Sequence, residues 1–369
     1  MKVSVVGGGN AGIFTALFLD HAVGTEVELI YNPEIPPERV GQATLITPPR
    51  LLFEATGFNW YDNPIHATFK SGILYEGWGQ VNKKVFHDFP SHHMAMHYCP
   101  WEMQKHVLNS SRFKVIESEV DPKDVDADFV FDCRGKPDDY SNYEQLINPT
   151  NACILAKPNW DTSKVYWSRH VATPDGWTFI IPTHRKSPSH NYCVGYCYNS
   201  GITSKEDAEK NMLAMFDVEI SKHVNYNNYV AKEVVIDGRI ILNGNRLFFL
   251  EPLESSATES YIEVVRHFAT CGVEKLNSYI PTYIKQLQNF VLWHYQFGSK
   301  YDTPFWNYVK KLTFSDYIFD SKLEKCMKSE WKDIFDAIST NNDTRYAQWN
   351  NYAIKLWYDG MTNFSKKGN

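Results

Sequence analysis

The start of the chain shows two apolar segments separated by a glycine cluster and a helical pattern. Residues 3–7 form an apolar run that predicts a strand, and residues 11–19 place apolar side chains on one helical face. Glu26–Tyr31 alternates as a second strand does. The GGGNAG segment lies between the first strand and the helix. This β-α-β pattern over about 31 residues predicts a dinucleotide-binding, Rossmann-like opening.

The middle of the chain predicts more strands than helices. Apolar or alternating runs occur at residues 69–76, 84–89, 128–132, 166–170, 177–181 and 192–198. The last three are separated by turn residues and predict an antiparallel set. Residues 234–236 and 239–242 flank Asp237-Gly238, which predicts a hairpin. These runs predict a mixed sheet after the parallel opening.

Other segments predict loops and helices. Residues 32–53 are rich in proline and predict a loop, whereas Thr203 and Glu206 form a capping-box pattern for a helix that ends near Phe216. Beyond Ser256 the pattern is helical. Apolar positions then recur at helical spacing, at Ile280, Tyr283, Ile284, Leu287, Val291 and His294. The polar, asparagine-rich sequence after Thr340 predicts a loosely held end.

Composition excludes several classes of protein. The 369 residues are 43% hydrophobic and 15% aromatic, so the chain should bury a large core rather than remain disordered. The net charge is −6 and no basic stripe occurs, so we expect no nucleic-acid partner. No apolar run of about 18 residues predicts a membrane span. Seven cysteines without a CxxC pattern favour reduced thiols and a cytoplasmic location.

The glycine cluster has the spacing of a pyrophosphate-binding turn. Gly7 permits a tight turn, Gly9 lets backbone approach a phosphate, and Gly12 lets the helix pack on the strand. The helix N-terminus then favours the phosphate charge. The second strand ends in Tyr31-Asn32, where an acidic residue is usual, so Asn32 is the candidate for a ribose hydroxyl.

Several motifs follow in a fixed order. They are VGQAT at 40–44, ATFKSGI at 67–73, GWTFIIP at 176–182, GNRLFFLEPLESSAT at 244–258 and WHYQFGSKYDTPFW at 293–306. Together they resemble the motifs of the flavin-dependent halogenases of the tryptophan-halogenase family. The resemblance covers most of the chain, from Val3 to about Trp306. The sequence departs from the family pattern at Tyr31, Gln42, Phe179 and Ala257.

This resemblance implies an α/β fold of the aromatic-hydroxylase type. A Rossmann-like FAD module with a mixed β-sheet would occupy residues 1–260, and a mainly helical substrate region would occupy residues 261–369, the two packed as one unit. Reduced FAD (FADH2), oxygen and a halide ion would yield hypohalous acid for halogenation of an electron-rich, indole- or phenol-like aromatic. The implied partners are that small substrate and a separate flavin reductase, and a homo-oligomer stays open.

The resemblance also implies roles for individual residues. Lys70 would bind the oxidant, either as an ammonium that polarises the oxygen–halogen bond or as an amine that forms a haloamine. Glu254, supported by Ser255, would orient the oxidant and accept the ring proton. FAD would contact Gly7, Gly9, Asn10, Ala11, Gly12, Asn32, Ala43 and Thr258. The halide would bind at Ser256 and Ala257, and a wall between flavin and substrate would consist of Trp177, Phe179 and Pro182.

Histidines and aromatic residues near these motifs are candidates for substrate contacts. They are His87, His92, Trp293, Phe305 and Trp306. Core packing is an equally good interpretation of each aromatic residue. His87, His92, His93 and His97 with Cys99 could suggest a metal site, but no carboxylate motif accompanies them, and we predict no metal.

Two alternatives compete with a halogenase. A flavin monooxygenase that hydroxylates aromatics would share the glycine turn, but it does not account for ATFKSGI together with GWTFIIP. A catalytically inactive descendant that only binds a ligand is motivated by Tyr31, Gln42 and Ala257. Dependence of the product on halide distinguishes a halogenase from the monooxygenase. Affinity for reduced FAD distinguishes a halogenase from the inactive descendant.

Overall fold

A computed structural model of the protein describes residues 1–79, 84–89, 95–312 and 320–363. Within these ranges the strands are β1 (Lys2–Val6), β2 (Glu26–Tyr31), β3 (Gln42–Ala43), β4 (Thr68–Lys70), β5 (Gly72–Glu76), β6 (Lys84–Asp88), β7 (Ala95–Tyr98), β8 (Lys114–Glu117), β9 (Phe129–Asp132), β10 (Tyr143–Gln145), β11 (Ala152–Pro158), β12 (Ser168–Thr173), β13 (Gly176–Ile180), β14 (Val194–Tyr198), β15 (Val218–Asn225), β16 (Tyr229–Ala231), β17 (Val235–Ile236), β18 (Ile240–Leu242), β19 (Phe248–Phe249), β20 (Arg345–Tyr346) and β21 (Trp349–Asn350). The helices are α1 (Asn10–Leu17), α2 (Thr47–Thr56), α3 (Pro100–Ser110), α4 (Lys205–Met215), α5 (Ala257–Cys271), α6 (Leu276–Gln296), α7 (Pro304–Lys311), α8 (Ser321–Lys328), α9 (Trp331–Ser339) and α10 (Asn351–Asn363).

The first sheet is the predicted Rossmann-like layer. Its six strands lie in the order β17-β18-β9-β1-β2-β8, and all except β17 run parallel. The glycine turn joins β1 to α1, so the predicted β-α-β opening is confirmed. Parallel strands of this kind place their carboxyl ends, and therefore the ligand crevice, at one edge of the sheet.

The second large sheet has seven strands in the order β15-β11-β14-β13-β12-β5-β6. Strands β12, β13 and β14 form the predicted antiparallel set. Strand β12 pairs with β5 in parallel, which joins this set to the segment that carries Lys70. The α/β fold with a mixed sheet is thus confirmed.

The prediction of one strand over residues 69–76 is wrong. The chain changes sheets at Ser71, because β4 belongs to a small sheet of order β3-β7-β4 and β5 belongs to the seven-stranded sheet. Ser71 donates its backbone N–H and its hydroxyl to Tyr166 O at 2.6 and 2.7 Å. These bonds stabilise the break immediately after Lys70.

Two local predictions between residues 32 and 216 are also wrong. Residues 47–53 belong to α2, because Pro48 and Pro49 lie in its first turn, where proline removes no needed donor. The cap of α4 is displaced by one residue from the predicted pair: Ser204 Oγ accepts from the N–H of Asp207 at 3.1 Å.

The described segment after Thr340 is more regular than its composition predicts, and residues 364–369 lie outside the described residues. It forms β20, β21 and α10, and Trp357 and Met361 of α10 are fully buried. A Cβ on Gly79 would lie 2.8 Å from Met361 O, so α10 packs directly on the chain that follows β5. The asparagine-rich composition of this segment did not indicate that Trp357 and Met361, four residues apart, would be buried on one helical face.

One hydrophobic cluster connects the two predicted regions. It contains Val3 of β1 and Met361 of α10. Residue 260 lies inside α5, and the division of the chain there stays a prediction. The longest described helix, α6, has 21 residues and buries Gln288, Asn289 and His294. None of the helices in the described part of the chain combines the length and apolarity needed to cross a bilayer.

Candidate active site

The glycine turn has the shape that a pyrophosphate requires. Gly7 has φ +121°, and a Cβ there would overlap Cys133 O, while a Cβ on Gly12 would overlap Gly7 O. Around Gly9, by contrast, nothing lies within 4 Å of the Cβ position. Helix α1 begins at Asn10 and Ala11 without a side-chain cap, which leaves its first N–H groups for a ligand. The turn therefore fits the phosphates of FAD.

The end of β2 carries hydrogen bonds that the sequence did not reveal. Tyr31 donates its hydroxyl to Glu117 at 2.9 Å, and the Asn32 amide donates to Glu119 at 3.2 Å. Asn32 Oδ1 also accepts from the N–H of Glu34 at 2.9 Å. A carboxylate thus does lie beside the end of β2, supplied by the chain after β8. The ribose contact of Asn32 stays a prediction.

Lys70 is enclosed, with 1% of its surface exposed. Its Nζ donates to Thr44 O at 3.1 Å and lies 5.2 Å from the ring centre of Phe89. Thr44 follows Ala43 in the predicted flavin-side segment. Burial lowers the pKa of Lys70 to about 7, although the charge of Glu254 opposes this shift. Near neutral pH the amine therefore exists in both protonation states.

Glu254 is the buried carboxylate whose charge interacts with this lysine, and it is also 1% exposed. Its φ is +72°, and that of Ser255 is +55°. Such left-handed conformations cost non-glycine residues about 1–3 kcal/mol each. Tyr75 donates its hydroxyl to Glu254 Oε1, and His294 Nε2 lies 3.0 Å from the same oxygen. The buried carboxylate of Glu254 therefore lies in a strained turn that the surrounding structure stabilises.

Two of the three predicted wall residues lie on one strand and on one face, and the third, Pro182, follows that strand. Trp177 and Phe179 alternate along β13 with ring centres 6.1 Å apart, and both are buried. The Phe179 ring covers Gly195 on β14 and fills the volume that a Cβ there would need. Pro182 O accepts from Thr68 Oγ1 at 2.6 Å, which connects the end of β13 to the strand of Lys70. Their role as a barrier stays a prediction.

The predicted halide residues lie at the start of α5. Ala257 is the first residue of this 15-residue helix, and Ser256 has helical angles, φ −76° and ψ −20°. Alanine therefore adopts the required conformation without strain, since a positive φ occurs earlier, at Glu254 and Ser255. Thr258 is buried in the first turn of the helix.

His87 is a predicted substrate residue whose ring interacts with the charges of Lys70 and His294. It is 2% exposed, and neither ring nitrogen has a hydrogen-bond partner among the described residues. Burial, together with the charges of His294 and Lys70, lowers its pKa to about 3. A neutral, unpaired imidazole beside Lys70 is available for contact with a bound molecule.

The other predicted substrate residues have packing roles in the described structure. Trp306 donates its indole N–H to Thr173 O at 2.8 Å and lies 5.5 Å from Trp78. Phe305 is buried beside Tyr295, with ring centres 6.1 Å apart. Trp293 is half-buried, 5.6 Å from Phe297. His92 lies outside the described residues. Their contact with substrate stays a prediction.

Comparison with known proteins assigns the family. The model of the family described as tryptophan halogenase matches residues 2–118 and 110–350. The chain belongs to the tryptophan halogenase family. It is 21% identical to tryptophan 7-halogenase KtzQ from Kutzneria sp. (strain 744), in an alignment that covers 85% of this chain and 79% of KtzQ. This member of the family is therefore an enzyme of the flavin-dependent halogenase type.

Solved structures of halogenases share the fold. The tryptophan 5-halogenase MibH superposes with a TM-score of 0.79 at 17% identity, over 98% of this chain and 85% of MibH. The flavin-dependent halogenase Xcc4156 from Xanthomonas campestris gives a TM-score of 0.75 at 17% identity, over 98% of this chain and 88% of Xcc4156. Sequence identity this low supports the architecture only.

Sequence reasoning missed two residues of this family member's buried centre, Tyr75 and His294. The sequence placed His294 on the apolar face of α6 and in the Trp293-His294-Tyr295 stretch considered for substrate contacts, but it predicted no partner for the ring. A polar residue at a fully buried helical position was the available signal, since it requires a partner. No group of three or more metal-ligating side chains suited to a metal ion occurs within residues 1–79, 84–89, 95–312 and 320–363.

Proposed function

We propose that this enzyme halogenates an electron-rich aromatic substrate, indole- or phenol-like, with hypohalous acid that reaches Lys70. The observation that carries the proposal is the enclosed Lys70 amine, whose pKa burial lowers to about 7, in electrostatic interaction with the enclosed Glu254 carboxylate. When bound, reduced FAD from a separate reductase would supply, with oxygen, the oxidising power that converts halide to hypohalous acid. The glycine turn, with Asn10, Ala11, Asn32, Ala43 and Thr258, would hold that cofactor.

Lys70 binds and activates the oxidant. Its ammonium form donates a hydrogen bond that draws electron density from the oxygen–halogen bond. Its neutral form can instead attack the halogen, which breaks the oxygen–halogen bond, releases the oxygen as water with the proton that the nitrogen loses, and leaves a haloamine. A pKa near 7 gives access to both forms at neutral pH. The hydrogen bond from Nζ to Thr44 O orients the amine in either state.

Glu254 accepts the proton that the aromatic ring loses on substitution. Both hydrogen bonds that described residues make to this carboxylate fall on Oε1. Oε2 therefore provides the lone pairs for the ring proton. Ser255, with φ +55°, continues the strained turn that holds Glu254 in place.

The surrounding residues separate the two halves of the reaction. Trp177, Phe179 and Pro182 form a barrier that admits only a small oxidant, and the N–H groups of Ser256 and Ala257 at the start of α5 attract the halide. His87, Trp293, Phe305 and Trp306 contact the substrate. A cytoplasmic location belongs to the same proposal, supported by seven free cysteines.

The test supplies a flavin reductase, NADH, FAD, oxygen and chloride, bromide or iodide with a panel of indoles and phenols. We expect a product whose mass carries the halogen and whose formation requires the halide. Lys70→Ala should abolish this product, and Lys222→Ala, on an exposed part of β15, should not.

Three outcomes contradict the proposal. Hydroxylated products that form without halide would indicate a monooxygenase. Failure to bind reduced FAD at any workable concentration would indicate a ligand-binding protein. Bound flavin without any halogenated product from the panel would exclude the halogenation of indoles and phenols as the function of this enzyme.

A further inference from the structure

His294 lies in the buried centre, where Nδ1 has Phe290 O as its partner and Nε2 has Glu254; the Tyr75 hydroxyl, which donates its proton to Glu254, lies 3.3 Å from Nε2 as well. Nδ1 lies 2.8 Å from Phe290 O, one helical turn earlier in α6, and Nε2 lies 3.0 Å from Glu254 Oε1. The ring has no exposed surface. It therefore exchanges neither partner for water.

Both partners of this ring are acceptors when Glu254 is ionised. A carbonyl oxygen can only accept, so the proton of that bond lies on Nδ1. A neutral imidazole would then present the lone pair of Nε2 to a carboxylate oxygen, which is repulsive at 3.0 Å. The contact between His294 and Glu254 requires one additional proton.

The neighbours of this pair indicate which atom holds the proton. Tyr75 donates its hydroxyl to Oε1 as well, and the charge of Lys70 interacts with Glu254. Both interactions favour the carboxylate over the acid. The proton accordingly belongs on Nε2.

Other titratable groups near the ring do not replace it as a cation. His87 on β6 and His170 on β12 interact with the charge of His294, and burial lowers the pKa of each far below its usual range. The remaining faces of the ring are aromatic: Trp357 lies 4.5 Å and Trp78 6.1 Å away between ring centres.

We propose that His294 is a positioning residue, doubly protonated, that anchors Glu254 Oε1 as a carboxylate and so leaves Oε2 to accept the ring proton of the substrate. This inference rests on the proposed function for its last step only. During that step the ring C–H bond breaks, its electron pair restores the aromatic ring, and the proton forms an O–H bond on Oε2. His294 keeps both protons throughout.

The test counts the protons on His294 in the ligand-free, full-length protein. Histidine labelled with ¹⁵N in both ring nitrogens distinguishes neutral rings from doubly protonated rings by NMR at pH 7. We expect one ring that is doubly protonated and insensitive to solvent, that disappears in His294→Gln and becomes neutral in Glu254→Gln. His267→Phe, which removes a histidine stacked on Tyr279 at 3.8 Å, should leave this ring unchanged.

A neutral His294 at pH 7 in the wild-type protein would overturn the proposal, and so would a doubly protonated His294 that persists in Glu254→Gln. If His294→Gln does not fold, the Glu254→Gln spectrum alone decides, because the signal must lose one doubly protonated ring. None of these readouts needs turnover, so they are independent of whether the enzyme halogenates.

A kinetic arm uses indole and bromide as probes. Glutamine retains an N–H donor for Oε1, whereas leucine does not. His294→Leu should lower kcat about 10²-fold with KM nearly unchanged, and His294→Gln should recover most of that loss. Equal losses in the two variants would remove the positioning role.

Discussion

The glycine turn and the buried centre around Lys70 serve the same proposed reaction with opposite physical means. The turn occupies one contiguous stretch, residues 7–12, and works because side chains are absent. The centre unites Lys70, Glu254 and His294 from three distant segments and works because charged side chains are enclosed. The first can be recognised in a sequence, whereas the second exists only after folding.

The two regions also differ in what they cost. A glycine turn loses backbone entropy but has no unfavourable solvation. The centre buries an amine with a lowered pKa and holds two non-glycine residues at positive φ. Changes in the turn should therefore impair folding or cofactor affinity, whereas removal of the Lys70 amine should impair turnover while it stabilises the fold.

The strongest test of this contrast is Lys70→Met. The variant removes the group that activates the oxidant, so we expect kcat for the halogenated product to fall about 10³-fold or more. The affinity for reduced FAD, measured by fluorescence titration, should change less than about twofold. Turnover above a tenth of the wild-type value would exclude Lys70 from the mechanism.

The matching change in the turn is Gly12→Ala. Its Cβ would overlap Gly7 O, a backbone atom that cannot move aside, so we expect a loss of about 4 kcal/mol in the free energy of unfolding. Gly9→Ala is the control, because its Cβ meets nothing within 4 Å. It should leave the free energy of unfolding unchanged and weaken FAD binding. Equal unfolding curves for the two variants would contradict this account.

The stability of Lys70→Met sharpens the same contrast. The pKa of Lys70 is about 7 in the folded chain and 10.5 in the reference state, so the unfolded chain binds more protons between these pH values. Wild-type stability should rise with pH through this window. Methionine removes the free-energy penalty of burying an ammonium group. At pH 7 we therefore expect Lys70→Met to raise the free energy of unfolding by roughly 3 kcal/mol. This gain in the free energy of unfolding should vanish near pH 10.5. Denaturant titrations at pH 7 and pH 10 check it, and equal differences between variant and wild type at the two pH values would contradict it.

The buried carboxyl group of Glu251 should change stability with pH by a smaller amount and in the opposite direction. Tyr295 and Thr150 donate hydroxyl groups to it, but burial prevails and raises its pKa from 4.5 to about 7. The folded chain therefore binds the extra proton between pH 4.5 and 7, and stability falls as pH rises through this window. Glu251→Gln should raise the free energy of unfolding at pH 8 by roughly 2 kcal/mol and have little effect at pH 4.5.

Exposed Glu233→Gln is the control for that measurement and should be neutral at both pH values. A Glu251→Gln variant that is destabilised at pH 8 would show that the ionised carboxylate contributes favourably. In that case burial alone would not distinguish the proposed catalytic carboxylate of Glu254 from the structural carboxylate of Glu251.

Local patterns predicted local structure well where one physical rule dominated. The β-α-β opening and the antiparallel strands β12–β14 follow from periodicity, and both are present. The helical assignment failed at α2 because Pro48 and Pro49 were interpreted as loop residues, although they occupy a first helical turn. Helix α10 was missed because two buried residues, Trp357 and Met361, outweighed a polar composition.

By itself the sequence determined the glycine turn, the order of the family motifs and the identity of Lys70 and Glu254, since these are properties of short contiguous segments. Only the tertiary structure decided that the chain changes sheets after Lys70 and that Tyr75 and His294 share one oxygen of Glu254. The physical reason is that burial, charge and proton sharing depend on distances between segments about 40 to 220 residues apart, which no local pattern encodes.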